Sequence, residues 1–324
     1  MGKRLTLNLS SIKLNKIKMI KKIFALLICI CMLPSFTTSH LDNKNALGYN
    51  TFYNLIDTQG ITFTLNTVEH LYEQGNLTSD QCHLLLHHLG DYASTKFGLQ
   101  QSMQEATEIC RAGFIHGLFL SADLREINNT KICTQSSFHT LASRLQCLHG
   151  LGHGLSVFFD YNLTRALDIC KVGESADYQS ACATGVFMEE FSPRAHLSAP
   201  ANSKTFEMCD EHDFTSECNW YVGIRIIGNS TSLSGGIQGC KRAKVEYQSD
   251  CERGFGVMAA GRTDYNRKKI ITICADVKAC LMGAASEFGL SREILRGLLF
   301  CHHISPKNRR ACVAEIINSY SKHF

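Results

Sequence analysis

Residues 164–185, TRALDICKVGESADYQSACATG, carry the pattern that decides the fold of this 324-residue chain. An apolar stretch with helical spacing ends at Cys170, a short polar segment follows, and Cys182 opens the next apolar stretch. The same order recurs between residues 82 and 312, which is typical of a repeat architecture. Disulfides between the two cysteines of each unit would join its two helices.

Seven cysteine pairs follow this order, and they account for all fourteen cysteines after residue 39. The predicted pairs are Cys82 with Cys110, Cys133 with Cys147, Cys170 with Cys182, Cys209 with Cys218, Cys240 with Cys251, Cys274 with Cys280, and Cys301 with Cys312. Other connectivities are also compatible with the sequence. An even number of cysteines in an exported chain indicates an oxidising compartment, where disulfides persist.

The repeat length indicates two helices and two turns per unit. Counted from Cys110, the second cysteines of successive pairs are 37, 35, 36, 33, 29 and 32 residues apart. The chain contains only four prolines, as long helical stretches require. We therefore predict an all-α array of disulfide-stapled helix hairpins, either an open α-solenoid or a closed α/α array, with a repeat of about 30–37 residues.

A glycine recurs three residues after the second cysteine in five of the units, as in Cys147-Leu-His-Gly150 and Cys182-Ala-Thr-Gly185. Glycine inside a helix costs about 1 kcal/mol relative to alanine. Its recurrence therefore predicts that neighbouring helices approach closely beside each disulfide.

Two units depart from this glycine pattern. In the unit of Cys218 the glycine comes two residues later, at Gly223. The last unit has Glu315 three residues after Cys312. An atypical terminal repeat is expected, because it caps the array.

The N-terminal segment has the features of a secretory signal peptide. Residues 1–39 contain seven basic and no acidic side chains and an apolar run at residues 23–33, and Met19 is an alternative start. This run is too short to span a bilayer, so we expect no stable membrane span in the mature chain. The predicted organisation is a signal peptide (1–39), an N-terminal extension (40–65) and one α-helical repeat domain (66–324). The predicted location is periplasmic or secreted.

The charge balance argues against nucleic acid as a partner. The whole chain has 33 basic and 29 acidic residues, and loss of the seven basic residues of the signal peptide leaves 26 minus 29, or −3. No stripe of lysine and arginine with interleaved aromatic residues remains. The sequence also contains no P-loop, dinucleotide fingerprint or GxSxG motif.

Histidines are concentrated in the first repeats, where two pairs have helical spacing. His83 and His87 follow Cys82, and His149 and His153 follow Cys147. Residues four apart lie on the same helical face, so each pair of imidazoles can bind one metal ion. Asp91 continues the face of the first pair and is a candidate metal ligand or a candidate acceptor that supports a ligand.

Counting from the second cysteine of each unit indicates the position of a fifth histidine. His116 lies six residues after Cys110, as His153 lies six residues after Cys147, so both should project from the same side of the array. The equivalent position becomes Met188 in the next unit, and later units have Val257 and Ser286. The histidine site should therefore end early in the array.

These positions define the predicted site. The candidate metal ligands are His83, His87, His116, His149 and His153. Imidazoles suit zinc or copper, and haem is less favoured because no CxxCH attachment sequence occurs. Glu189 is a candidate general base or ligand. The simplest interpretation of Glu189 and Glu190 is nevertheless a pair of acids on a helix surface.

Four motifs occur in order along the first half of the chain: CHxxxH (82–87), CxxGxxHG (110–117), CxHGxGHGL (147–155) and CxxGxFxE (182–189). This series resembles an uncharacterised family of secreted bacterial proteins with the same motifs. The resemblance supports the choice of residues but implies no reaction. The architecture also resembles the cysteine-rich Sel1-like repeat proteins, which implies an α-solenoid with a binding surface.

Two functions are compatible with these observations. The first is an exported protein that binds a transition-metal ion through the histidines, with metal-dependent chemistry as a further step. The second is a module of Sel1-like type that binds an unidentified protein or peptide, with neither metal nor catalysis. The sequence leaves open whether the protein is an enzyme.

Overall fold

The computed structural model describes residues 45–125, 130–134, 138, 140–191, 203–229 and 233–321. Within these residues the protein is all-α, with sixteen α-helices and no strand, which confirms the predicted fold class. The chain divides into two units, Met1–Gly48 and Tyr49–Phe324, and every helix from the second onward belongs to the latter. The predicted signal peptide lies outside the described residues.

The helices follow one another with short connections. They are α1 (Asn45–Gln59), α2 (Ile61–Glu73), α3 (Ser79–Phe97), α4 (Leu99–Gln104), α5 (Ile109–Leu118), α6 (Leu141–Phe158), α7 (Leu163–Cys170), α8 (Ala176–Glu190), α9 (Ser203–Asp210), α10 (Thr215–Asn229), α11 (Gly236–Gly239), α12 (Gln248–Arg262), α13 (Arg267–Cys274), α14 (Lys278–Leu290), α15 (Ile294–His303) and α16 (Pro306–Ser321). Short 3₁₀ turns span Thr130–Thr134, Leu233–Gly235, Cys240–Arg242 and Val245–Tyr247.

All seven predicted disulfides are present, and each closes a short segment of chain. The sequence separations run from 6 residues for Cys274–Cys280 to 28 residues for Cys82–Cys110. The half-cystines are buried in the apolar core. Each bond contributes about 2–4 kcal/mol by restricting the unfolded chain. These disulfides indicate that the protein folds in an oxidising environment.

A short helix ends at or near the first cysteine of most units, and a longer helix contains the second. The short α7 ends at Cys170, for example, and the longer α8 contains Cys182. The longer helices pack side by side in the order α3, α5, α6, α8, α10, α12, α14 and α16. They form the inner layer of the array.

Successive inner helices are in direct backbone contact at glycines. A Cβ atom on Gly185 of α8 would lie 1.8 Å from the carbonyl oxygen of His149 on α6. Reciprocally, a Cβ atom on Gly152 of α6 would lie 2.1 Å from the carbonyl oxygen of Cys182. A Cβ atom on Gly223, the glycine that comes two residues late, would lie 2.0 Å from the Cys251 carbonyl oxygen of α12. Gly223 therefore plays the part in the contact between α10 and α12 that Gly152 plays between α6 and α8. The expected close approach is therefore present.

The last unit keeps its disulfide although it lacks the recurrent glycine. Cys312 of α16 is bonded to Cys301 of α15, as the spacing predicts. Glu315, which occupies the glycine position after Cys312, forms an ion pair with Arg253 of α12. The close approach to α16 comes instead from Gly289 of α14, where a Cβ atom would lie 2.5 Å from the Ile316 carbonyl oxygen. Only one of the two helices therefore supplies a glycine at this final contact.

The array curls until an early inner helix, α5, meets a late one, α14. Arg111 of α5 donates a hydrogen bond of 3.2 Å to the Glu287 carboxylate of α14, across 176 residues of sequence. Arg111 also pairs with Asp80, and Glu287 accepts a bond of 2.7 Å from Ser291. Of the two arrangements compatible with the sequence, the described residues form the closed one. No helix among them is long and apolar enough to cross a membrane.

Replacement of Gly185 by alanine tests the backbone contact. We expect Gly185→Ala to lower the free energy of unfolding by about 2 kcal/mol or more, because the added methyl group meets a carbonyl oxygen that belongs to another helix. The matched control is Gly261→Ala in α12, where nothing lies within 4 Å and the change should stabilise by up to about 1 kcal/mol. Urea unfolding of both oxidised variants measures the difference. Equal stabilities would contradict the proposed contact.

Replacement of Arg111 tests the closing ion pair. Arg111→Met leaves the buried Glu287 carboxylate without its cation and should destabilise the protein by about 3 kcal/mol. The double variant Arg111→Met/Glu287→Gln removes the uncompensated charge and should recover part of that loss. A double-mutant cycle from urea unfolding measures the coupling. Additive effects would show that the pair does not hold the array closed.

Candidate metal centre in the central cavity

The inner helices enclose a cavity of about 780 Å³, and all five candidate histidines line it. The side chains that line the cavity come from α3, α5, α6, α8, α10, α12 and α14. Met188 and Val257, which occupy the same register as His116 and His153, line it too. Ser286 has the same register but is not among the residues that line the cavity, and its hydroxyl group hydrogen-bonds to Ser319.

The first histidine pair comes from α3. Thr78 caps this helix, because its hydroxyl accepts a bond from the Gln81 N–H while the Gln81 side chain accepts one from the Thr78 N–H. His83 and His87 lie on one face of the helix, and their Nε2 atoms are 3.2 Å apart. The predicted spacing therefore brings the two imidazoles together.

The second pair comes from α6 and repeats this geometry. The Nε2 atoms of His149 and His153 are also 3.2 Å apart. Gly152 allows α8 to approach on one side, and Gly154 allows α5 to approach on the other, where a Cβ atom would lie 2.5 Å from the Phe119 carbonyl oxygen. The glycines around these histidines thus admit neighbouring helices.

His116 of α5 lies between the two pairs and joins them into one cluster. Its ring centroid is 5.3 Å from those of His83 and His87, 4.7 Å from that of His149 and 5.6 Å from that of His153. It therefore faces the same side as His153, as the register predicts. Two sets of three ligand nitrogens each lie within 4.8 Å of one another, and they share His116: His83, His87 and His116, and His116, His149 and His153.

A left-handed turn sets the start of α5. Cys110, Arg111 and Ala112 have φ values of 48°, 56° and 55°, a conformation that side chains other than glycine rarely adopt. The Cys82–Cys110 disulfide anchors this turn to α3. The turn directs the Cys110 carbonyl oxygen to the Nδ1 atom of His83 at 2.9 Å. The CxxG pattern gave no sign of this departure from a helix.

Hydrogen bonds at Nδ1 determine which nitrogen each ring presents to the cluster. His83 donates to the Cys110 carbonyl oxygen, and His153 donates to the Glu189 carboxylate at 3.0 Å. His149 donates to the Thr184 hydroxyl at 2.9 Å, because that hydroxyl donates its own hydrogen to the Ala181 carbonyl oxygen. With the proton on Nδ1, the Nε2 lone pair of each ring points into the cluster.

His116 uses its other nitrogen for the cluster. Its Nε2 atom donates to the Gln146 side-chain oxygen at 2.9 Å. Its Nδ1 atom is buried and has no hydrogen-bond partner among the described residues. An unpaired buried acceptor costs free energy, so this nitrogen is the natural point for a cation to bind.

His83 and His116 are uncharged in the absence of a bound ion. Burial, reinforced by the positive charge of Arg111, lowers the pKa of His83 to about 3. Burial and the neighbouring histidines hold the pKa of His116 well below its ordinary value. Both rings are therefore neutral at pH 7, which is the form that coordinates metal.

Two adjacent acids at the end of α8 are both buried. Glu189 is 1 % exposed and Glu190 is 3 % exposed, so the interpretation of the pair as surface acids is wrong. Glu189 accepts a hydrogen bond from the Nδ1–H group of His153. Burial, and secondarily the charge of Glu189, raise the pKa of Glu190 to about 7. Helix periodicity alone could not show this burial, because neighbouring helices cover several faces of α8.

Two residues from the first repeats lie outside the cluster. Asp91 is not part of either group of ligand nitrogens, and it accepts a hydrogen bond from Ser121. His88 packs its ring on Tyr49 at 4.4 Å. Conversely, Gln146 and Thr184 contact the histidines and were not predicted, since nothing in the sequence relates them to a ring on another helix.

Searches for related proteins return no match to this chain among protein-family models, curated proteins or solved structures.

The raised pKa of Glu190 predicts a pH-dependent stability. Between pH 4.5 and 7 the folded protein keeps a proton that the unfolded chain releases, so stability falls as the pH rises through this window. We expect Glu190→Gln to match the native protein near pH 4 and to be more stable by about 2–3 kcal/mol at pH 8. Urea unfolding at both pH values measures this, with the exposed Glu73→Gln as control. A Glu190→Gln protein that is less stable at pH 8 would contradict the assignment.

Proposed function

We propose that this protein is exported and binds divalent transition-metal ions, zinc or copper, through the five histidines of its central cavity. The observation that carries the proposal is the pair His149 and His153. Both rings donate a hydrogen bond from Nδ1, so in their neutral form the two Nε2 lone pairs face each other at 3.2 Å. Two lone pairs at this distance repel each other unless a cation lies between them.

The spacing suits a metal ion. Zinc binds imidazole nitrogen at about 2.0–2.1 Å, so two nitrogens on one tetrahedral ion are about 3.3–3.4 Å apart. The Nε2 separations in both pairs are 3.2 Å, close to this value. A porphyrin ring has no room between nitrogens this close, which argues against haem between the members of either pair.

Each histidine pair supports one ion, and the two adjacent ions compete for the single Nδ1 lone pair of His116. Each ion would have imidazole ligands only, since every cysteine of the described residues is in a disulfide. Imidazole ligands suit zinc and copper more than magnesium or calcium, which prefer oxygen. Three protein ligands leave a coordination position that faces the cavity, as a water-activating centre requires.

In this proposal Glu189 is a positioning residue and not a general base. Its carboxylate accepts the Nδ1 hydrogen of His153, which orients the ring and makes Nε2 a stronger donor to the metal. The export part of the proposal rests on the seven disulfides, which persist in an oxidising compartment.

Metal analysis of oxidised, untagged protein tests the proposal directly. After loading and desalting we expect one to two equivalents of zinc or copper per chain, with a lower content in His149→Ala/His153→Ala because two ligands are lost. The matched control is His302→Ala/His303→Ala on α15, which should keep the full content. Protein that retains no stoichiometric metal would contradict the proposal and favour the interaction module.

The hydrogen bonds behind the ligands give a finer test. Thr184→Val and Glu189→Gln each alter the acceptor of one Nδ1 hydrogen without touching a nitrogen of the cluster, and should weaken metal binding by about 10- to 100-fold. Competition with a chromogenic chelator measures the affinity, and circular dichroism checks the fold. Unchanged affinities in both variants would show that these bonds do not orient metal ligands.

A further inference from the structure

The cavity has a second wall that the histidines do not form. Trp220, Tyr221 and Ile224 of α10 line it together with Val257 and Met258 of α12. The rings of Trp220 and Tyr221 meet edge to face, with centroids 4.7 Å apart. This wall is mainly apolar and aromatic, which is typical of a surface that binds the carbon skeleton of an organic ligand.

Arg225 adds a positive charge to this wall. It follows Tyr221 by one helical turn, lines the same cavity, and has a buried Nε atom without a hydrogen-bond partner in the described part of the chain. Burial lowers its pKa, and no carboxylate of a described residue forms an ion pair with it. Arg111, the other arginine of the cavity, is already neutralised by Asp80 and Glu287.

A partly buried guanidinium without a counter-ion is costly, and an oxyanion compensates it well. Carboxylate and phosphate groups accept two parallel hydrogen bonds from the planar guanidinium fork. The volume of about 780 Å³ lies within the range of pockets that hold small organic molecules. Charge, apolar surface and size therefore point to one chemical class of ligand.

We propose that the cavity binds an amphipathic oxyanion, whose carboxylate or phosphate head pairs with Arg225 and whose apolar body packs against Trp220, Tyr221 and Met258. This inference goes beyond the proposed metal binding, because none of these residues belongs to the histidine cluster. Since both sites open into one cavity, the bound molecule would be held beside the metal centre.

The chain's single tryptophan, Trp220, reports on binding. We would titrate oxidised protein with decanoate, decyl phosphate and 1-decanol below their aggregation concentrations, both metal-loaded and chelated, and follow tryptophan fluorescence. We expect the carboxylate or the phosphate to bind more tightly than the alcohol, in both forms of the protein. The tighter of the two acids identifies the preferred head group.

Variants of the arginine separate its charge from general hydrophobic binding. Arg225→Gln should weaken binding of the preferred acid by about 10- to 100-fold, the usual effect of losing a charged hydrogen bond, and leave decanol unchanged. Arg225→Lys should retain part of the affinity, and the exposed Arg310→Gln of α16 serves as the control.

Equal affinities for acid and alcohol, or an unaffected Arg225→Gln protein, would overturn the inference. Acid binding that needs metal and ignores Arg225 would also overturn it while supporting the metal centre. Failure of metal loading with intact acid binding would refute only the proposed function.

Discussion

Direct backbone contact between neighbouring inner helices is the constraint on which the rest of this protein depends. Where Gly152 and Gly185 meet, the carbonyl oxygen of each opposing helix occupies the place of a side chain. Two helices with ordinary side chains at these points would have to stand further apart. Because each contact sets the distance to the next helix, the array curls tightly enough for Arg111 to reach Glu287 and enclose a cavity.

The disulfides stabilise this arrangement and also take part in the site. Glycine-rich helices are poor in intrinsic stability, and a buried cluster of polar rings adds a further cost. Seven short covalent links offset these costs by limiting the unfolded chain. The Cys82–Cys110 bond does more, because it anchors the left-handed turn whose carbonyl oxygen orients His83. We therefore expect scaffold and site to depend on the same oxidising conditions.

The chemistry of the cavity follows from its division into two walls. Helices α3, α5 and α6 contribute imidazoles whose ring nitrogens converge. Helices α10 and α12 contribute aromatic and aliphatic side chains and the charge of Arg225, whose buried Nε atom has no hydrogen-bond partner among the described residues. In the two proposals, a metal ion would bind to the first wall and an amphipathic oxyanion to the second. Their placement in one cavity would bring a bound molecule to an ion with an open coordination position.

Much of this protein was determined by local sequence alone. The cysteine spacing predicted the helical array and the seven disulfides, because consecutive cysteines flank a short polar segment between two helical stretches. The spacing of four placed each histidine pair on one face, and the count of six from the cysteine put His116 and His153 on one side. Tertiary structure decided the burial of Glu189 and Glu190, the partners Gln146 and Thr184, the left-handed turn at Cys110, and closure by Arg111. These features join residues on different helices. Their geometry depends on the rotation of each helix relative to its neighbour, and the periodicity of residues within one helix carries no information about that rotation.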